Sequence, residues 1–94
     1  MRLHWTPEAM ADRDAIYDYI EADNPAAALT LDELFEEQAG RLTDHPHMGR
    51  KGRQAGTREW VAHHNYVLVY DVTGDLVRML RVLHVARQWP PQKA

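Results

Sequence analysis

The chemistry of this chain has to come from cations and histidines, because the usual nucleophile sets are missing. There is no serine and no cysteine among the 94 residues. A Ser/His/Asp triad and a thiolate metal site are therefore excluded, and threonine has no supporting context as a nucleophile. Gly49-Arg50-Lys51-Gly52-Arg53 is glycine-rich and basic but lacks the G-x-x-x-x-G-K-S/T pattern that cradles nucleotide phosphates. His45-x-His47 and His63-His64 have ligand-like spacing, yet no acid-rich or cysteine-rich pattern completes a set. Neither a metal nor a cofactor is expected. Among the histidines, His84 alone follows a long apolar run near the C-terminus, where an imidazole suits acid/base work near neutral pH. A strand-end histidine holding a backbone contact is the competing reading.

The cations fall in two groups. Arg50, Lys51, Arg53 and Arg58 occupy a glycine-rich stretch and its exit, while Arg78, Arg81 and Arg87 lie in the last apolar run and tail. Such groups bind phosphates or the carboxylates of a partner protein. Lys51 and Lys93 read as solubilising charges. Arg81 does not, since it sits between Leu80 and Val82, where a guanidinium must find partners. Net charge conceals a polarity. Residues 1–47 carry three arginines against eleven acids, and residues 48–94 carry eight cations against three acids, giving −8 and +5 within a total of −3. That asymmetry points to an anionic or acidic partner for the second half.

These residues need a scaffold, and its centre runs from Tyr66 to Trp89. Two apolar runs are broken only by Thr73-Gly74-Asp75, the pattern of a β-hairpin with Gly74 supplying positive φ. A two-residue Gly74-Asp75 loop sets Asp71 opposite Arg78. In that register Val67, Val69, Leu80 and Val82 share an aliphatic face, expected to meet the helices. Tyr66, Leu68, Tyr70, Met79, Arg81 and Leu83 share the other face, expected to be covered by a partner.

Upstream, Arg2 to Trp5 reads as a short strand. Thr6-Pro7-Glu8 caps a helix running to about Ala22, with Met10, Ile16, Tyr17 and Ile20 as its apolar stripe. Asn24-Pro25 starts a second helix to about Asp44, with Leu31, Leu34, Phe35, Gln38 and Leu42 on one side and Asp32, Glu33, Glu36 and Glu37 on another. His45-Pro46 ends it, and the following segment up to Thr57 reads as a basic loop. Arg58 to Ala62 is a strand and His63-His64-Asn65 a turn. The order β-α-α-β-β-β gives one α+β domain over residues 1–94, in two layers with a helical hairpin on a twisted antiparallel sheet. The stretch Met1 to Glu8 has no apolar h-region and no run approaches membrane-spanning length, so a cytoplasmic protein is expected.

Five short motifs then occur in order: Asp23-Asn24-Pro25-Ala26-Ala27, His45-Pro46 with Gly49-Arg50-x-Gly52-Arg53, Gly56-Thr57-Arg58-Glu59, Tyr66-x-Leu68-x-Tyr70, and Leu80-Arg81-Val82-Leu83-His84-x-Ala86-Arg87-x-Trp89-Pro90. Over nearly the whole chain this resembles the RelE/ParE superfamily of type II toxin–antitoxin toxins, also called the plasmid-stabilisation family. The resemblance implies a small bacterial toxin silenced by a cognate antitoxin, encoded adjacently, that folds on binding. It implies one of two targets. ParE-like members poison DNA gyrase, and RelE-like members are mRNA interferases that cut message on the ribosome with Arg and Lys clamps and a C-terminal Tyr or His. Trp89 stands where a RelE-like tyrosine would be expected, and the chain is net acidic, so the gyrase reading is preferred. A toxin homologue that only binds antitoxin is a third reading. The expected target-binding residues are Arg50, Arg53, Arg58, Arg81, Arg87 and Trp89. Tyr66, Tyr70, Met79 and Arg81 are expected to meet the antitoxin. His84, Arg58 and Arg81 would be catalytic in a RelE-like enzyme.

Overall fold

In the computed structural model, which describes residues 1–86 and 89–90, the helix-starting signals act where the sequence places them. Strand β1 (Arg2–Trp5) leads into helix α1 (Pro7–Glu21), and α2 (Pro25–Asp44) follows after a three-residue link. The Thr6 hydroxyl accepts from the Ala9 N–H at 3.1 Å, and the Asn24 side chain accepts from the Ala27 N–H at 3.1 Å. Each satisfies a donor that a first turn leaves without a partner. Strands β2 (Arg50–Lys51), β3 (Arg58–His63), β4 (Tyr66–Thr73) and β5 (Leu76–His84) complete the chain. No helix among the described residues is long and apolar enough to cross a membrane.

The sheet has five strands in the order β1-β5-β4-β3-β2. Its C-terminal strands are antiparallel as expected, but β1 pairs with β5 in parallel, so the sheet is mixed. The two-residue β2 lies in what the sequence presents as loop. At the hairpin, Gly74 adopts φ +59° and Thr73 pairs with Leu76. Asp71 faces Arg78 and accepts from its Nε at 2.9 Å.

The face assignment is corrected for Tyr66 to Tyr70 and for Met79, while Arg81, Val82 and Leu83 lie on the faces expected of them. Leu68, Tyr70, Val77, Met79 and Val82 join Ala9, Phe35, Ala39 and Leu42 in the core beneath the helices. Val67, Val69 and Leu83 form a separate cluster on the opposite face, where Trp89 packs against them. Tyr70 and a bulge account for this pattern. Tyr70 can lie beneath the helices because its hydroxyl donates to the Pro46 carbonyl and accepts from the Gly49 N–H. A β-bulge then puts Tyr70 opposite Met79 but Val69 opposite Arg81, so Leu80 is the extra residue and the later positions Arg81, Val82 and Leu83 return to the faces expected of them.

Helix α1 packs Ile16 on the core as expected, but its deepest anchors lie outside the expected stripe. Ala9 and Arg13 are its buried residues, and Met10 is 40% exposed. The Arg13 guanidinium stacks 4.3 Å from the Trp5 ring centroid and forks to Asp32 and Glu36 of α2 at 2.8–3.0 Å. Those acids, expected on the solvated side of α2, clamp the helical hairpin together.

Candidate functional site

At the C-terminal end of β5 the chain runs past the end of β1, and α1 takes over the vacated edge. The Thr6 N–H donates to the Met79 carbonyl and the Thr6 hydroxyl to the Leu80 carbonyl. Nearly two turns further, Asp12 accepts from the Val82 N–H at 2.9 Å and from Arg81 Nε and Nη2 at 2.7 and 3.1 Å. The bulge is thus held from a residue seventy positions upstream. Arg81 also lies 5.3 Å from the Trp89 ring centroid. Its hydrogen bonds to Asp12 raise the guanidinium above its ordinary value, against the opposing effect of burial. Arg81 therefore finds the partners that its position demands, within the chain itself.

Trp89 likewise turns inward. It packs on Val67, Val69 and Leu83, each at most 2% exposed, so part of the second sheet face is covered by the chain itself, while Val61 beside Val67 stays 47% exposed. Arg87 lies outside the described residues. Tyr70 and Met79 are 0% exposed and belong to the core beneath the helices, so neither is open to an antitoxin in this fold, a correction that follows from the inverted face of β4 and the start of β5. Tyr66 remains partly exposed. With Ile20, Leu31, Leu34, His63 and Asn65 it lines a groove of about 570 Å³ between the helical hairpin and the β3–β4 turn.

The other end of the sheet holds the basic segment. Glu59 is fully buried at its side chain and accepts from Arg50 Nη2 at 3.1 Å, Arg53 Nε at 3.1 Å and the Arg53 N–H at 2.8 Å. Burial alone would push this carboxyl up. The bonds from Arg53 and Arg50 outweigh it and hold the group below its ordinary range. Arg58 donates to the Gly49 carbonyl at 2.8 Å, and neither it nor Lys51 has a carboxylate partner among the described residues. Arg53, Arg58, Lys51 and His47 border one cavity of about 590 Å³. The sequence grouped these cations but considered His47 only as a metal ligand. Among the described residues, no group of three or more His, Asp or Glu is arranged for a metal ion.

The three residues a RelE-like nuclease would need do not converge. Arg58 pairs with Tyr70 and His84 with Tyr66, on strands that flank β4. Four residues along and two strands across put their Cα atoms about 16 Å apart. Arg81, opposite Val69, faces the other side of the sheet. His84 is exposed, and its Nδ1 accepts from the Ala86 N–H at 3.1 Å, the backbone contact weighed in the competing reading.

A helical hairpin on a five-stranded sheet, with a partly buried tail tryptophan and a basic loop, defines a small α+β domain. The chain belongs to the family described as the ParE toxin of the type II toxin–antitoxin system parDE, whose sequence model matches residues 3–89. A putative toxin of Sinorhizobium fredii, Y4kP, is 38% identical over 90 residues, covering 95% of this chain and 93% of the relative. Toxin RelE2 of Caulobacter vibrioides is 39% identical over 83 residues, covering 88% and 93%. The solved structure of a chromosomal ParDE system from P. aeruginosa superposes with a TM-score of 0.81 at 30% identity, over 90% of this chain and 96% of that one. Membership implies a cognate antitoxin partner.

Proposed function

We propose that this toxin arrests growth by trapping DNA gyrase on cleaved DNA, and that its antitoxin seats in the groove at Tyr66. The single observation that supports this over message cleavage is the dispersal of Arg58, Arg81 and His84 over two ends and two faces of the sheet. A proton-transfer group and the cations that clamp the phosphate must reach one substrate, and Arg81, held by Asp12 and paired with Val69, lies on the sheet face opposite Arg58 and His84. A poison that acts by binding needs no such convergence.

Cells expressing the chain without antitoxin should filament and induce a DNA-damage response before protein synthesis falls. Co-expression of the adjacent antitoxin frame should restore growth. Translation arrest as the first event would overturn the proposal. One observation favours that second reading. His47 borders the same cavity as Lys51 and Arg58, so a message-cutting activity would draw its imidazole from there and not from His84.

A further inference from the structure

From the basic cavity we infer a further binding site: Lys51, Arg53 and Arg58 grip the phosphate backbone of duplex DNA. The inference concerns the isolated toxin and stands whether or not gyrase is the target.

Charge balance is the first support. Arg50 and Arg53 share the single carboxylate of Glu59, which leaves one positive charge on that trio. Lys51 and Arg58 add two more without a carboxylate partner among the described residues. Asp71 also borders the cavity, but both its oxygens are taken by Arg78. About three phosphates could thus be neutralised at a concave site.

The cavity is also built, not draped. Gly52 donates to the Thr57 carbonyl at 2.8 Å, and a Cβ on Gly52 would lie 2.1 Å from the Thr57 hydroxyl. Gly56 turns the loop at φ +79°. Glu59 fixes the loop from beneath through the Arg53 backbone and side chain. Cations on a closed loop lose little freedom when an anion arrives.

The lining selects the kind of anion. Phe, Tyr and Trp are absent from the cavity's lining residues. Single-stranded nucleic acid is held largely by stacking bases on such rings, and a protein interface needs apolar or aromatic anchors at its centre. A cationic concavity with a glycine rim suits the regular phosphates of a duplex, read without sequence preference.

The test is fluorescence anisotropy of a labelled 20-base-pair duplex titrated with the full-length chain at 50 to 200 mM salt. Three neutralised phosphates predict a log–log salt slope of about −2.7, so affinity falls about 40-fold across that range. Lys51→Gln, which removes an exposed side chain and leaves the loop's bonds intact, should bring the slope to about −1.8, and Lys51→Gln with Arg58→Gln to about −0.9. Arg2→Gln makes the same change in net charge on the far edge strand and should change nothing. No binding at 50 mM salt would overturn the inference. So would an equal loss in Arg2→Gln, or equal affinity for single-stranded RNA or a polyglutamate peptide. None of these outcomes bears on gyrase trapping, which is scored separately.

Discussion

The two ends of the sheet hold their cations in opposite ways. At the β5 end, Arg81 is matched to the Asp12 carboxylate and lies against the Trp89 ring, with only 20% of its side chain exposed. At the loop end, one buried carboxylate serves Arg50 and Arg53, while Lys51 and Arg58 face the cavity. A guanidinium in the middle of an apolar strand attracts attention in the sequence, but its position forces it to find partners, and here it finds them in its own fold. Capacity for an external anion lies where cations outnumber carboxylates.

Substituting Arg81 is the strongest way to break this comparison. Arg81→Ala leaves the Asp12 carboxylate, itself only 13% exposed, with the Val82 N–H alone among the bonds described for it. Thermal or chemical unfolding should report a loss of about 3 kcal/mol, where a purely interfacial arginine would cost close to nothing. Loss of toxicity in that variant would then reflect the fold.

Acid should expose the other end. Because the folded Glu59 carboxyl lies below its ordinary value of 4.5, its stabilisation is fully present above that pH and is lost as pH falls through the lower folded value. Glu59→Gln should cost about 2 kcal/mol at neutral pH and flatten the acid limb of a melting-temperature profile. An unchanged acid limb would show that the loop does not depend on this carboxylate.

The tail should give a smaller effect. Trp89→Ala uncovers Val67, Val69 and Leu83, and since the indole is only partly buried the expected loss is about 1–2 kcal/mol. Hydrophobic-dye binding should rise with it. His84→Ala should be nearly silent, below about 0.5 kcal/mol in stability and without effect on growth arrest, because an exposed strand-end histidine is a surface substitution. A toxicity loss approaching the roughly 10²–10⁴-fold cost of a missing proton-transfer group would restore His84 as catalytic.

What could be read in the sequence was local. Thr6-Pro7 and Asn24-Pro25 start their helices where written, and Gly74-Asp75 turns the hairpin with Asp71 on Arg78, because caps and tight turns are decided within a few residues. The faces of β4 and of Met79 were not legible, and Arg81, Val82 and Leu83 lie where expected only because the bulge offsets that inversion. The bulge at Leu80 depends on Asp12 reaching an edge that α1 itself covers, a contact no periodicity reports. Arg13 was missed for a related reason. A charged residue in a helical pattern reads as solvated until its acids, Asp32 and Glu36, are seen on the facing helix. For the candidate site, the basic run was visible as a run. That Glu59 would organise it, and that His47 would join it, required the fold.

The dispersal of Arg58, Arg81 and His84 leads to a claim about the target, and one preparation can test it. Purified toxin is divided between a gyrase reaction on supercoiled DNA and a ribosome programmed with a defined message. Accumulation of gyrase-linked, cleaved DNA with the message intact is the predicted result. A message cut in the decoding site while gyrase is untouched would contradict the account, and so would a folded, antitoxin-binding chain that does neither.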